Sequence, residues 1–164
     1  MRKIILEKES KAPIERKECI SWNFPDDYFK YSKQREIVNK LYLEQDINHK
    51  KDVMSQLTRK IASYKQQDIE KNLIDDNYRI ISLSESIEKL VESKLHCCYC
   101  RQKMTILYKS VREMKQWTLD RIDNDYGHTN TNVLIACLEC NIKRRRLDMQ
   151  KFKFTRQLKI IKSQ

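Results

Sequence analysis

From residue 32 onward the apolar positions of the chain recur at helical spacing. Ile37, Val38 and Leu41 share one face over residues 32–48, and Val53, Met54, Leu57, Ile61 and Tyr64 do so over residues 50–67. That pattern predicts two amphipathic helices. A third is predicted to start at Ser82, whose hydroxyl can cap the first turn while Glu85, three residues on, reaches back to it. Its stripe of Leu83, Ile87, Leu90, Val91 and Leu95 stops just before "HCCYC". Burial of one face is sufficient reason for such stripes, so residues 1–94 are read as a mainly helical region without an assigned chemical role. Residues 1–31 carry both prolines, Pro13 and Pro25, and the aromatic group Trp22, Phe24, Tyr28 and Phe29, which suits either packing on a core or an irregular arm.

Past residue 95 the pattern changes. "MTILY" and "QWTLD" have strand composition, and "NVLIAC" is a short apolar run containing β-branched residues. "LECNIKRRRLD" is free of Gly and Pro and reads as a helix. The expected order is strand, strand, long polar loop, strand, helix, which makes the fold class α+β: a helical region over 1–94, a small module over 95–147 and a basic tail over 148–164. In the tail, the alternation "KFKF" suits a short edge strand or a helix end.

Charge sharpens this picture. The 164-residue chain has a formal net charge of +11 with 35% charged residues, and it is uneven: residues 141–162 hold nine Lys or Arg against the single acid Asp148. A basic concentration of this kind points to an anionic partner, with DNA the first candidate. Lys143, Arg144, Arg145 and Arg146 are the expected phosphate contacts, which position a nucleic acid without reading its sequence. No apolar run approaches the ~20 residues of a membrane span, and "MRKIILEKESK" charges too quickly for a secretory signal. The expectation is a soluble intracellular protein with no membrane partner.

Six cysteines in a reducing compartment are metal ligands or buried thiols before they are disulfides. Cys97-x-x-Cys100 and Cys137-x-x-Cys140, separated by 36 residues, can each place two thiolates on one ion, and together they complete the closed tetrahedral set of a structural Zn²⁺ site. Cys98 is the expected bystander, His96 lies outside the two-residue spacing, and Cys19 is a separate thiol.

Between the two pairs runs "LDRIDNDYGHTNTNVLIACLECN", with the only glycine of the chain, Gly127, expected to take positive φ where the loop reverses. This stretch resembles the HNH endonucleases, whose ββα-metal module is often clasped by two Cys-x-x-Cys pairs. The likeness covers roughly residues 95–147. It implies that Asp120 and Asn141 bind a catalytic Mg²⁺ or Mn²⁺, that Asn132 braces the loop, and that Arg121 occupies the position where most members have the histidine general base. Arginine stays protonated near neutral pH, so it can clamp a phosphate but not deprotonate water. His128 is then the leading replacement base, with Tyr126 or an unassisted metal-bound hydroxide behind it, and Asp123 and Asp125 are either extensions of the metal site or ordinary turn residues. The first expectation is a metal-dependent HNH-type DNA endonuclease. The alternative is a catalytically inactive, zinc-stabilised DNA-binding protein such as a viral or mobile-element transcription factor.

Overall fold

The computed structural model describes residues 23–75 and 78–158. The expectations for Pro13, Cys19 and Trp22, and for the last basic positions Lys159 and Lys162, lie outside these described residues. Five helices and two strands make up the regular structure among them: α1 Tyr31–Tyr42, α2 Lys50–Glu70, α3 Leu83–Glu92, β1 Trp117–Arg121, β2 Val133–Cys137, α4 Leu138–Arg144 and α5 Met149–Gln157. The class is α+β, a helical half joined to a two-stranded antiparallel sheet in which Trp117 pairs with Cys137 and Arg121 with Val133.

The three predicted stripes do bury a face. Ile37, Val38 and Leu41 of α1, Val53, Leu57, Ile61 and Tyr64 of α2, and Ile87 and Leu90 of α3 enter one core with Trp117 and Leu119 of β1 and Val133 and Ile135 of β2. The core is therefore continuous across residue 95. Helix α3 starts as its capping box requires: the Ser82 hydroxyl accepts from the Glu85 N–H at 3.2 Å, and the Glu85 carboxylate accepts from the Ser82 N–H at 2.8 Å.

Two polar residues on otherwise apolar stripes tie the helices to the second half of the chain. Gln34 of α1 is buried; it donates to the Leu107 carbonyl at 2.9 Å and its side-chain oxygen accepts from the backbone N–H of Ile106 at 2.6 Å. From α2, the Tyr64 hydroxyl accepts from the backbone N–H of Leu119 at 3.2 Å.

Gln34 also explains why "MTILY" is not the expected strand. Met104, Ile106 and Leu107 are buried, but only Thr105 makes a bridge, to Gln116, because the neighbouring backbone groups are taken by Gln34 and by the Leu95 carbonyl. The expected helix "LECNIKRRRLD" likewise stops early, at Arg144, and a separate helix follows it from Met149. Arg145 takes φ 51° and ψ −114°, which ends α4, and Asp148 then caps α5 by accepting from the Lys151 N–H at 2.9 Å. "KFKF" lies within α5, not on a strand.

Gly127 corrects a third expectation: its φ is not positive. The reason for glycine is close approach, since a Cβ there would lie 2.5 Å from the Tyr78 ring and 2.9 Å from an Asp68 carboxylate oxygen. Gly127→Ala is expected to destabilise the fold by roughly 1–3 kcal/mol, the usual cost of overpacking. Urea unfolding at neutral pH checks it, and an unchanged midpoint would refute the close-packing role.

Candidate functional site

The cysteine clasp forms at the root of the hairpin. The Sγ atoms of Cys97, Cys100, Cys137 and Cys140 all lie within 4.8 Å of one another, with Cys100 and Cys137 3.9 Å apart. Four thiolates tetrahedrally bound at about 2.3 Å would have their sulfurs about 3.8 Å apart, so this set is shaped to hold one metal ion and to leave no coordination position open. Cys97, Cys137 and Cys140 are buried and Cys100 is half-buried. Cys98 and His96 stay out of the set; His96 packs edge-on against the Tyr31 ring, whose hydroxyl lies 3.3 Å from Nδ1. Helix α5 lies over the first pair. Phe152 packs edge-on against Tyr99, and the Gln157 side chain donates to the Cys98 and Tyr99 carbonyls at 3.2 and 2.9 Å. Burial works to lower the pKa of the neighbouring Arg156 guanidinium, and Cys140 and Cys100 together raise it by more.

At the other end of the hairpin, the polar loop is organised by Asn132. Its side-chain N–H groups donate to the carbonyls of Asp123, Tyr126 and Gly127 at 2.9, 3.3 and 3.0 Å, while its oxygen accepts from the Asp123 N–H at 2.9 Å. One amide thus satisfies four backbone groups of an otherwise unsupported loop, which is the bracing role expected of it. Asp123 accepts from the Asp125 N–H at 2.9 Å, an Asx turn.

Strand alternation sends successive side chains of β1 to opposite faces. Thr118 and Asp120 face α4 and Tyr99. Asp120 is 4% exposed, accepts from the Tyr99 hydroxyl, and lies 2.8 Å from Nε of Arg144. Burial pushes its carboxyl above the ordinary range, and Tyr99 and Arg144 oppose that. Asn141 engages different groups, donating to the Thr118 hydroxyl at 3.1 Å and the Leu119 carbonyl at 3.3 Å. Asp120 thus meets Tyr99 and an internal cation through one carboxylate oxygen, Oδ2, while Asn141 turns its amide N–H groups toward β1.

Arg144 itself departs from expectation. It is 1% exposed, and besides Asp120 its guanidinium donates to the carbonyls of Arg121 and, at 2.8 Å, Leu147. Four residues after Cys140, it lies on the inward face of α4 and is no phosphate contact. Lys143, Arg145 and Arg146 are exposed, and Lys143 pairs with Glu139 one turn earlier.

On the opposite face of β1, Arg121 turns toward α2. There Asp68, fully buried, accepts from the His128 backbone N–H and from the Tyr78 hydroxyl, at 2.7 and 2.9 Å. His128 Nδ1 lies 2.7 Å from the other carboxylate oxygen, and the Arg121 guanidinium approaches the same oxygen at 4.0 Å while donating to the Tyr126 carbonyl. His128 is 4% exposed, with its ring tilted against Tyr64. Its place in the loop is structural: it anchors the loop on α2 and is not exposed at a surface where it could take a proton from an attacking water. Asp68 was not among the sequence candidates. Its signal was its position, since it continues the α2 stripe of Leu57, Ile61 and Tyr64 with an acid.

Over 93 residues the chain is 32% identical to "Uncharacterized protein R423" of Acanthamoeba polyphaga mimivirus, a match covering 57% of this chain and 15% of that protein. The chain thus corresponds to a small part of that relative's length. No protein-family model and no solved structure matches it. No helix among the described residues is long and apolar enough to cross a membrane.

Two measurements check the site. Elemental analysis is expected to find one metal ion per chain, lost on Cys97→Ser or Cys140→Ser together with the thermal transition; metal-free protein with an unchanged transition would overturn the clasp. The second concerns pH. Burial pushes the His128 imidazole below its ordinary pKa of about 6.5, with Asp68 opposing this and Arg121 and Lys71 adding to it. The unfolded chain then takes up the proton first, so this contribution to stability is present above pH ~6.5 and is lost as pH falls below it. Wild type is expected to lose more stability than His128→Asn between pH 7.5 and 5, measured by urea unfolding; parallel losses would refute the assignment.

Proposed function

We propose that the chain is a DNA-directed protein built on a zinc-clasped module of the HNH endonuclease kind, and that it binds DNA without requiring cleavage. The observation that carries the module is the sequence of parts at the hairpin: β1, a polar loop braced through four backbone groups by Asn132, β2, and α4 with Asn141 tied back to β1, all rooted in four clustered thiols. Zinc is the natural occupant of that cluster, since four soft thiolates in a closed tetrahedral set suit it and supply fold stability in place of a larger core.

Binding is favoured over catalysis by the fate of two acid–base candidates. Asp120 is neutralised inside the protein by Arg144, and His128 is buried against Asp68. Asp120 therefore has a structural reason to be where it is, independent of any nuclease chemistry. Exposed Arg145 and Arg146, at the break between α4 and α5, and the basic positions Lys151 and Lys153 of α5 supply the positive surface. The metal-dependent endonuclease is the second reading. It is supported by the placement of Asn141 beside β1, and it requires Asp120 to be released from Arg144 and Arg121, whose side chain is 10% exposed, to turn from Tyr126 and Asp68 toward a phosphate.

Supercoiled plasmid incubated with Mg²⁺ or Mn²⁺ separates the two. Under the binding reading the plasmid stays intact, while duplex binding weakens steeply as salt rises. Nicking by wild type that is lost in Asp120→Ala and Asn141→Ala would replace binding with the endonuclease reading. Absence of both nicking and salt-sensitive binding would overturn the whole assignment.

A further inference from the structure

A second basic feature lies away from α4. A cleft of about 480 Å³ runs between the end of α3, the first cysteine pair and the outer side of β2, lined by Lys89, Lys94, His96 and Arg101 over a floor that includes Leu134. Glu92 is the only acid lining it, and among the described residues Lys89, Lys94 and Arg101 form no salt bridge. By contrast, Lys33, Lys40, Lys109 and Lys143 each pair with a carboxylate. Gathering like charges in a concavity is unfavourable unless a counter-charge enters it, and concave low-dielectric walls strengthen the field there.

The backbone presents these groups in a fixed way. Lys94 and Arg101 take left-handed φ values of 51° and 60°, which side-chain-bearing residues adopt reluctantly. Both positions are held by the fold: the Lys94 carbonyl accepts from the Tyr31 hydroxyl at 2.7 Å, and the Arg101 N–H donates to the Cys97 carbonyl at 3.0 Å. The first cysteine pair and α1 thus fix the backbone from which both side chains project at the cleft.

The cleft also has a defined relation to the DNA surface already described. Its β2 floor begins at Val133, which pairs with Arg121 at the loop end of the hairpin, while Arg145 sits beyond the loop end of β1, where its carbonyl accepts from Asn124 at 3.4 Å. The floor of the cleft thus reaches the loop end of the hairpin, near which Arg145 also lies.

We propose that the cleft lined by Lys89, Lys94, His96 and Arg101 is a second phosphate-binding site, which takes the backbone of the DNA strand that α4 and α5 engage. This deepens the DNA-directed reading and rests on it.

Lys94→Asn and Arg101→Asn, combined, remove two charges from exposed positions and keep a residue type that tolerates left-handed backbone. Metal content and the thermal transition establish that the variant is folded. For a duplex oligonucleotide, the slope of log affinity against log salt is expected to fall by about two, with roughly 50-fold weaker binding near 0.1 M salt, since each phosphate contact contributes a slope of about 0.9. Unchanged affinity and slope, with wild type still binding, would overturn the cleft and leave the DNA reading standing. No duplex binding by wild type would overturn both. Amide resonances of Lys94, His96 and Arg101 are expected to shift with duplex. Equal shifts with inorganic phosphate at matched ionic strength, together with full duplex affinity in the variant, would mark a free-anion site and refute the strand contact.

Discussion

The carboxylate of Asp68 is the group on which the arrangement of this protein turns. It has no exposure to solvent, and a buried charge is tolerated only where donors surround it. Those donors come from three separate parts of the chain: Tyr78 from the connection to α3, the backbone and ring of His128 from the polar loop, and, at longer range, Arg121 from the end of β1. Each is placed because the carboxylate needs it. Gly127 follows as a consequence, since the loop can approach Asp68 and Tyr78 this closely only where no Cβ intervenes. The helical half is thereby a structural part of the loop and not an appendage to it.

A second buried acid does the same work on the other face of β1. Asp120 holds Arg144, and Arg144 in turn donates to the carbonyls of Arg121 and Leu147 near the break between α4 and α5. Between them, Asp68 and Asp120 clamp the loop end of the hairpin, while the four cysteines clamp its root. Two strands of five residues bury too little surface to stand alone, so polar clamps and a cluster of four cysteines able to hold a metal ion stand where a larger sheet would rely on packing. The same need explains why the charged residues at this end of the hairpin face inward: Asp120 meets Arg144, and His128 meets Asp68.

Legibility in the sequence followed the range of the interactions concerned. The three helices, the capping box at Ser82, the two strands of the hairpin and the pairing of the cysteines rest on periodicity and spacing within a few residues, and were read correctly. The bracing role of Asn132 was also legible, because a loop rich in backbone donors and acceptors needs such a side chain. What misled was composition without context. "MTILY" has strand composition but loses its ladder to Gln34, more than seventy residues away in sequence. The four basic residues 143–146 looked alike, yet Arg144 alone continues the inward face of α4 marked by Cys140.

Local chemistry along the chain was thus enough to point to an α+β protein with helices first, a cluster of four cysteines able to hold a metal ion, and a braced polar loop between two strands. Whether Asp120, Arg121, His128 and Arg144 serve catalysis, binding or cohesion depended on which distant groups met them. A carboxylate or an imidazole is a reactive group only while its charge is uncompensated and reachable. Compensation here comes from Asp68, Tyr99 and Arg144 across separations of about 20 to 60 residues, an arrangement that arises only when the core closes.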